Sequence, residues 1–175
     1  MESIVPENGG FLIRSARDQY RASRVLLAIG RRGSPRRLDV PGEQHPKVAY
    51  KLMEPEQYRK KKLLVVGGGD SAVEAAVRLA GEEGTEVSLS YRKHVFSRIK
   101  EKNREGIEAA MRTGRVTAYM ESEVESIEPR GAHLIQQGRR LSLDNDYVFV
   151  FIGGELPIAF LQSIGVRMEK KFGER

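Results

Sequence analysis

Three consecutive glycines, at positions 67 to 69, follow the apolar run Leu63–Val66. A strand, a glycine turn and a helix in this order form the site at which parallel α/β domains bind a dinucleotide pyrophosphate. Gly67 permits the tight turn, Gly69 lets phosphates approach the backbone, and Ala72 is small enough for close packing of helix on strand. The positive end of the helix then faces the phosphates. The pattern predicts a pyrophosphate site formed by Gly67, Gly68, Gly69, Asp70, Ser71 and Ala72.

The next predicted strand, Thr85 to Ser90, is followed by cationic residues. An NAD site usually has an acidic side chain here, about 20 residues after the glycines, to bind the ribose 2′-hydroxyl. This chain instead has Tyr91, Arg92 and Lys93. Guanidinium and ammonium groups donate charge-assisted hydrogen bonds to a phosphate, so we expect NADPH rather than NADH. The alternative is that the cations form a solvated strand end in a basic chain.

Composition limits the classes of function. The chain has 175 residues, 39% of them hydrophobic, which is enough for a domain with a core. Its net charge is +6, but the cations are dispersed and not interleaved with aromatic residues, so we expect no nucleic-acid partner. Cysteine is absent and the three histidines are far apart, so we expect no disulfide, catalytic thiol or metal site. Without an apolar run of membrane-spanning length or a signal peptide, the expected location is cytoplasmic and away from membranes.

Helices and strands around these motifs are predicted to form an α/β fold. The helix after the glycines is expected to have Asp70 or Ser71 as its N-cap. A second helix is expected to cover Arg98–Thr113, with an inner face formed by Ile99, Ile107, Ala110 and Met111. A third strand spans Val116–Met120. Three short strands in a meander and one buried strand complete this part of the chain: Val124–Ile127, Ala132–Gln136, Arg139–Leu143 and Tyr147–Ile152.

The first part of the chain contains its own strand signals. Phe11–Ser15 and Gln19–Ser23 are predicted to pair as a hairpin, and Arg24–Gly30 to form a buried strand that ends in glycine. An irregular connector, Arg31–Glu43, and a short helix or turn at Pro55–Tyr58 then lead to the glycine motif.

These motifs, in this order, resemble the thioredoxin-reductase-like branch of the pyridine nucleotide oxidoreductases, which are flavoproteins with two dinucleotide-binding domains. Ala28–Gly30 with Pro41–Glu43 is similar to the crossover from the flavin domain to the pyridine nucleotide domain. Gly67–Glu74 is similar to the NADPH turn. Val148–Gly153, followed by Pro157, resembles the strand that returns toward the flavin domain.

Tyr91–Arg98 is similar to the segment with which this family binds the 2′-phosphate. Tyr91 stands in place of a histidine, Lys93 in place of an arginine, and Arg98 is displaced by one position. By the same resemblance Glu74 lies near the nicotinamide ring, although an acid in the first turn of a helix is also favoured by the helix dipole alone.

The resemblance implies a Rossmann-like parallel sheet with helices and a small antiparallel β-meander, flanked by fragments of a flavin domain. It divides the chain into a partial flavin-domain segment at 1–44, an NADP(H)-binding domain at 45–153 and the start of the return segment at 154–175. Ile152 and Gly153 are predicted to contact the cofactor, with a role as simple hinge residues as the alternative. No catalytic residue is assigned, since the cofactors carry the chemistry.

The implied function is transfer of a hydride from NADPH to FAD and then to an unidentified acceptor, a ferredoxin-like protein or a disulfide. The family's C-x-x-C pair, its first glycine motif for flavin and its final G-D segment are not in the sequence. We therefore expect an internal piece of a ferredoxin–NADP reductase-like enzyme, in which this chain does not bind FAD alone. The alternative is a catalytically silent NADP(H)-binding sensor or partner-docking module, and homodimerisation is left open.

Overall fold

The computed structural model describes residues 3–28, 35–155 and 158–167. The chain divides into two compact units. One comprises Pro35–Gly153, and the other comprises Met1–Ser34 together with Gly154–Arg175. The described strands are β1 (Ser3–Glu7), β2 (Gly10–Arg14), β3 (Gln19–Ala22), β4 (Val48–Ala49), β5 (Lys62–Val66), β6 (Glu86–Tyr91), β7 (Val116–Met120), β8 (Ser122–Glu128), β9 (Gly131–Gln136), β10 (Arg139–Asp144) and β11 (Tyr147–Val150). The helices are α1 (Asp70–Ala80), α2 (Glu101–Arg112) and α3 (Ile158–Ser163), with a 3₁₀ turn at Pro55–Tyr58.

The larger unit is built on a five-stranded sheet in the order β4-β11-β5-β6-β7. All neighbouring strands in it are parallel. Leu63 and Val65 of β5 face a core that they share with α1 and α2, whereas Leu64 and Val66 face the antiparallel meander β8-β9-β10. Because both faces of the sheet are covered, the successive residues 63–66 of β5 are all apolar rather than alternating with polar ones. The predicted Rossmann-like fold class, with its meander, is confirmed.

Strand order determines where the candidate site lies. β6 and β11 flank β5, and in a parallel sheet the carboxyl ends of neighbouring strands meet at one edge. The segments that follow β5, β6 and β11 therefore lie at the same edge.

Two details of the predicted helices are wrong. The N-cap of α1 is Gly69, because Asp70 is already helical and its carboxylate is bonded elsewhere. The helix predicted from Arg98 begins at Glu101, since Lys100 has an extended backbone with ψ of 150°. Met111 is partly exposed, whereas Ile107 and Ala110 are buried as expected.

The smaller unit contains the antiparallel sheet β1-β2-β3. Pairing of β2 with β3 confirms the predicted hairpin. Strand β1 was missed, although Asn8-Gly9, with φ of 49° and 77°, is a strong hairpin-turn signal. The buried strand predicted for Arg24–Gly30 is wrong in its described part, 24–28, because no described strand pairs with these residues and Leu26 is 91% exposed. Its last two positions, like Pro157, lie outside the described residues.

A search of the described residues for membrane spans finds no helix with the length and apolar character to cross a bilayer.

Candidate nucleotide-binding site

The glycine turn is held between the two strands that flank β5. Gly67 N–H donates to the carbonyl oxygen of Ser90 (2.9 Å), and Phe151 N–H donates to that of Val66 (2.8 Å). Gly67 has φ of 137°, a conformation that favours glycine. A Cβ on Gly67 would overlap the carbonyl oxygen of Phe151 and lie 3.1 Å from the Cβ of Ala72. The turn therefore requires glycine at 67 and a small residue at 72.

The amino end of α1 is open. No atom lies within 4 Å of the position that a Cβ on Gly69 would take. The backbone N–H groups of Gly69, Asp70 and Ser71 have no acceptor in the part of the chain that the structure describes. The helix dipole adds partial positive charge at this point. Free donors on an uncovered backbone surface are the arrangement that binds phosphate.

An aromatic ring at the end of β6 packs against the turn. A Cβ on Gly68 would overlap ring carbons of Tyr91, so the two residues are in direct contact. The same ring stacks on Phe96, with centroids 5.4 Å apart and planes 4° apart. Phe96 is 6% exposed and belongs to the core shared with α1 and α2. The ring of Tyr91 thus connects the glycine turn to the core.

Arg92, Lys93 and Arg98 follow Tyr91 and are exposed. None of the three forms an ion pair with a described residue. The sheet edge thus has cations without a described ion-pair partner on the segment that follows β6, next to the acceptor-free N–H groups at the start of α1.

The Asp70 carboxylate joins α1 to α2. Its Oδ1 accepts hydrogen bonds from Lys100 N–H (2.8 Å) and Asn103 Nδ2 (2.6 Å), and Asn103 Nδ2 also donates to Glu74 Oε1 (2.9 Å). The hydrogen bonds from Lys100 and Asn103 hold the pKa of Asp70 below its ordinary value of 3.8. The side chains of Asp70 and Glu74 are therefore engaged with α2, and only the backbone N–H of Asp70 is free for a phosphate. Asn103 carries no sequence signal that could have revealed this role.

Ile152 and Gly153 follow β11 at the same sheet edge, on the opposite side of β5 from Tyr91. Ile152 packs, partly buried, against the core beneath the meander. Gly153 is exposed with φ of 99°, and its carbonyl oxygen accepts a hydrogen bond from Arg36 N–H (3.1 Å). The structure thus brings the predicted positions to one edge, in three adjacent segments.

A second set of polar side chains lies at the end of the connector, and the sequence motifs include only Glu43 among them, as the last residue of the crossover. We term Glu43, Tyr50, Lys47 and Asn145 the connector cluster. Glu43 is 6% exposed, and its carboxylate accepts hydrogen bonds from Leu38 N–H (2.6 Å), Asp39 N–H (3.0 Å) and the hydroxyl of Tyr50. Burial alone would raise the pKa of Glu43, but these bonds and the Arg37 charge outweigh it and leave that pKa below 4.5. Burial and the neighbouring Glu43 raise the pKa of Tyr50 to about 12.

Lys47 is the buried cation of the connector cluster, at 6% exposure. Its ammonium donates to Asn145 Oδ1 (2.6 Å), the Asn145 carbonyl oxygen (3.3 Å) and the Gly131 carbonyl oxygen (2.9 Å). Burial lowers the pKa of Lys47, partly opposed by Asp146 and Glu128. Lys47 thus joins the segment after the connector to Gly131 of β9 and to Asn145, which follows β10.

The residues at the sheet edge fit a dinucleotide with an extra phosphate. The uncovered N–H groups suit a pyrophosphate, and the free cations suit a phosphate on the ribose. No group of three or more potential metal ligands occurs among the described residues.

Comparisons with known proteins identify the family of the chain. The sequence model of the family described as pyridine nucleotide-disulphide oxidoreductase matches residues 1–173. The chain is 31% identical to a bacilliredoxin reductase of Bacillus subtilis, over 95% of this chain and 52% of that protein. It is 32% identical to a ferredoxin–NADP reductase of Ignicoccus hospitalis, over 88% of this chain and 51% of that protein. The chain thus spans about half the length of the curated relatives it matches.

Solved structures show the same fold. A bacillithiol disulfide reductase from Bacillus cereus superposes with a TM-score of 0.88 at 26% identity, over 97% of this chain and 54% of that one. A thioredoxin reductase from Lactococcus lactis gives a TM-score of 0.79 at 21% identity, over 93% of this chain and 55% of that one. At that identity the second match shows the fold alone.

Proposed function

Because the chain belongs to the pyridine nucleotide-disulphide oxidoreductase family, we propose that it is the NADPH-binding part of a flavin-dependent oxidoreductase. In this proposal a hydride passes from NADPH to FAD and then to an acceptor. Residues 45–153 form the NADPH-binding domain, and residues 1–44 and 154–175 belong to the flavin domain. The residues of this chain are assigned to NADPH alone.

One observation carries the proposal. The uncovered backbone at Gly69 lies at the same sheet edge as Arg92 and Lys93, which form no ion pair with a described residue. Acceptor-free N–H groups and free cations at one edge match the pyrophosphate and the 2′-phosphate of NADPH.

The residues have distinct proposed roles. The N–H groups of Gly69, Asp70 and Ser71 donate to the pyrophosphate, while Arg92 and Lys93 donate to the 2′-phosphate. Arg98 is a further cation of the same segment. We place the nicotinamide end of the cofactor near Glu74, Ile152 and Gly153. When bound, NADPH supplies the hydride, and this chain binds and orients it.

We propose a small redox protein as the acceptor, because the relatives are named as reductases of ferredoxin and of bacilliredoxin. The chain contains no cysteine, so a disulfide in the reaction would come from another segment or protein.

Calorimetric titration of the full chain with NADPH and with NADH, at moderate salt, tests the proposal. We expect NADPH to bind at least about tenfold more tightly, since hydrogen bonds to a charged group contribute roughly 1.5–3 kcal/mol. Arg92→Ala should remove most of this preference and leave NADH affinity nearly unchanged. The matched control is Lys61→Ala, which removes one exposed cation at the opposite, amino end of β5.

Equal losses for both nucleotides in Arg92→Ala would refute the 2′-phosphate assignment, and no binding of either by the wild-type chain would refute the assignment of the glycine turn. The absorption spectrum of the longer protein to which we propose this chain belongs separates the reductase from the alternative of a silent module, because this chain is not expected to bind FAD alone. A flavin spectrum of that protein supports the reductase, and a colourless protein that binds NADPH supports the silent module.

A further inference from the structure

The segment from Arg92 to Lys100 has no regular secondary structure, yet it is attached to the fold at several points. Glu121 N–H donates to the Lys93 carbonyl oxygen (3.2 Å), and Arg104 Nη2 donates to the Phe96 carbonyl oxygen (2.9 Å). At its far end Lys100 N–H donates to Asp70 Oδ1 (2.8 Å). We term residues 92–100 the cation segment. Hydrogen bonds within the protein thus attach its backbone to Glu121, to α2 and to α1.

A further attachment is made by the ring of Tyr91, the residue directly before the cation segment. It contacts Gly68 in the phosphate turn and stacks on Phe96 in the core. Arg92 and Lys93 directly follow the ring in sequence, so their backbone directions depend on where the ring is held. Phe96, three residues after Lys93, stacks on the same ring. Both side-chain contacts of Tyr91 are made by ring carbons, so a phenyl ring would preserve them.

We propose that Tyr91 is a positioning residue that determines specificity for the 2′-phosphate. Its ring, in contact with Gly68 and Phe96, fixes the start of the cation segment so that Arg92 and Lys93 are directed at the phosphate. This inference rests on the proposed NADPH function. Specificity is then set partly by an aromatic pair that makes no charged contact with the phosphate.

The test uses 2′,5′-ADP and 5′-AMP as probes, because they differ only in the 2′-phosphate. In calorimetric titrations of the full chain, Tyr91→Leu should weaken 2′,5′-ADP by about fivefold to tenfold, the range for loss of an aromatic pair. Binding of 5′-AMP should change less than about twofold in the same variant, because the pyrophosphate donors are untouched. Tyr91→Phe should retain the preference of the wild-type chain.

A mutant cycle shows whether Tyr91 acts through Arg92 and Lys93. If it does, adding Tyr91→Leu to the Arg92→Ala, Lys93→Ala double variant should cost little further 2′,5′-ADP affinity. Additive losses in the cycle, or equal weakening of both probes by Tyr91→Leu, would overturn the inference. In either case a wild-type preference for 2′,5′-ADP would still support the NADPH function. A wild-type chain without that preference refutes the NADPH function itself.

Discussion

The glycine turn and the connector cluster lie in the same compact unit, and each includes or adjoins a glycine of positive φ, Gly67 or Gly42. Their charged side chains differ in burial and in hydrogen bonding. In the connector cluster, Glu43 and Lys47 are buried and hydrogen-bonded to several protein groups. At the glycine turn, Arg92 is exposed, with no ion-pair partner in the described ranges.

This difference separates residues that hold the fold from residues available to a ligand. Removing one partner from a buried polar pair leaves the other unsatisfied, which reduces stability. Removing an exposed, unpaired cation changes stability little but removes a donor to the ligand. The connector cluster should therefore be sensitive in unfolding experiments, and the glycine turn in binding experiments.

The largest expected effect is from Gly42→Ala in the connector. Gly42 has φ of 84°, and a Cβ there would overlap the carbonyl oxygen of Ile127 in β8. We expect a loss of about 2–4 kcal/mol in the free energy of unfolding, measured with urea. The matched control is Gly138→Ala, with φ of 77° but no atom within 4 Å, where only backbone strain of about 1 kcal/mol applies. Equal losses in the two variants would show that the contact with Ile127 is unimportant.

Lys47→Met is expected to have the next largest effect. It leaves Asn145 Oδ1 and the Gly131 carbonyl oxygen without their donor, at a cost of roughly 1–3 kcal/mol. The exposed Lys61→Met should stay within about 0.5 kcal/mol of the wild type in the same urea titration. NADPH affinity of the folded Lys47→Met protein should be unchanged, and a selective loss of that affinity would remove the distinction between the two regions.

The pH dependence of stability tests the pairing of Glu43 with Tyr50. The folded-state pKa of Glu43 is lowered, so its contribution is present above 4.5 and is lost as pH falls through the folded pKa. The folded-state pKa of Tyr50 is raised, so its contribution is present below 10 and is lost as pH rises toward about 12. Glu43→Gln should flatten the acid limb of the unfolding free energy, and Tyr50→Phe the alkaline limb.

Other groups act on the same limbs, so the test is the difference between variant and wild type. Asp70, whose pKa is also lowered, contributes to the acid limb. On the alkaline side Tyr58 adds to the loss, since its pKa is raised, whereas the lowered pKa of Lys47 opposes it. Acid limbs that coincide in Glu43→Gln and wild type would contradict the assigned role of Glu43.

The smallest effect on stability is expected from Gly69→Ala. Gly69 has an ordinary extended backbone with φ of −97° and open space at its Cβ position, so the loss of stability should not exceed about 1 kcal/mol, the cost of alanine at the N-cap of α1. Its Cβ would occupy the surface assigned to the pyrophosphate, so NADPH affinity should fall by about tenfold or more in calorimetry. Gly67→Ala is the comparison, because it should lose stability as well. Unchanged NADPH affinity in Gly69→Ala would contradict the assignment of the pyrophosphate to this surface.

Local patterns were sufficient to predict the framework of the molecule. The continuous apolar run Leu63–Val66 before the glycine turn predicts β5, while β7 at its observed bounds and the meander follow from two-residue periodicity and turn residues. The same patterns indicated that Arg92 follows the strand next to the glycine turn. They failed for 24–28, because an apolar run becomes a strand only when another strand pairs with it.

By itself, then, the sequence determined the glycine turn, the order of strands and helices around it and the cationic end of β6, since each depends on a residue and its near neighbours. Only the tertiary structure decided which polar groups are satisfied. Lys47 and Asn145 are 98 positions apart, and Asp70 and Asn103 are 33 apart. No local pattern specifies such partners, because hydrogen bonding and burial depend on which distant segments the packed core brings together.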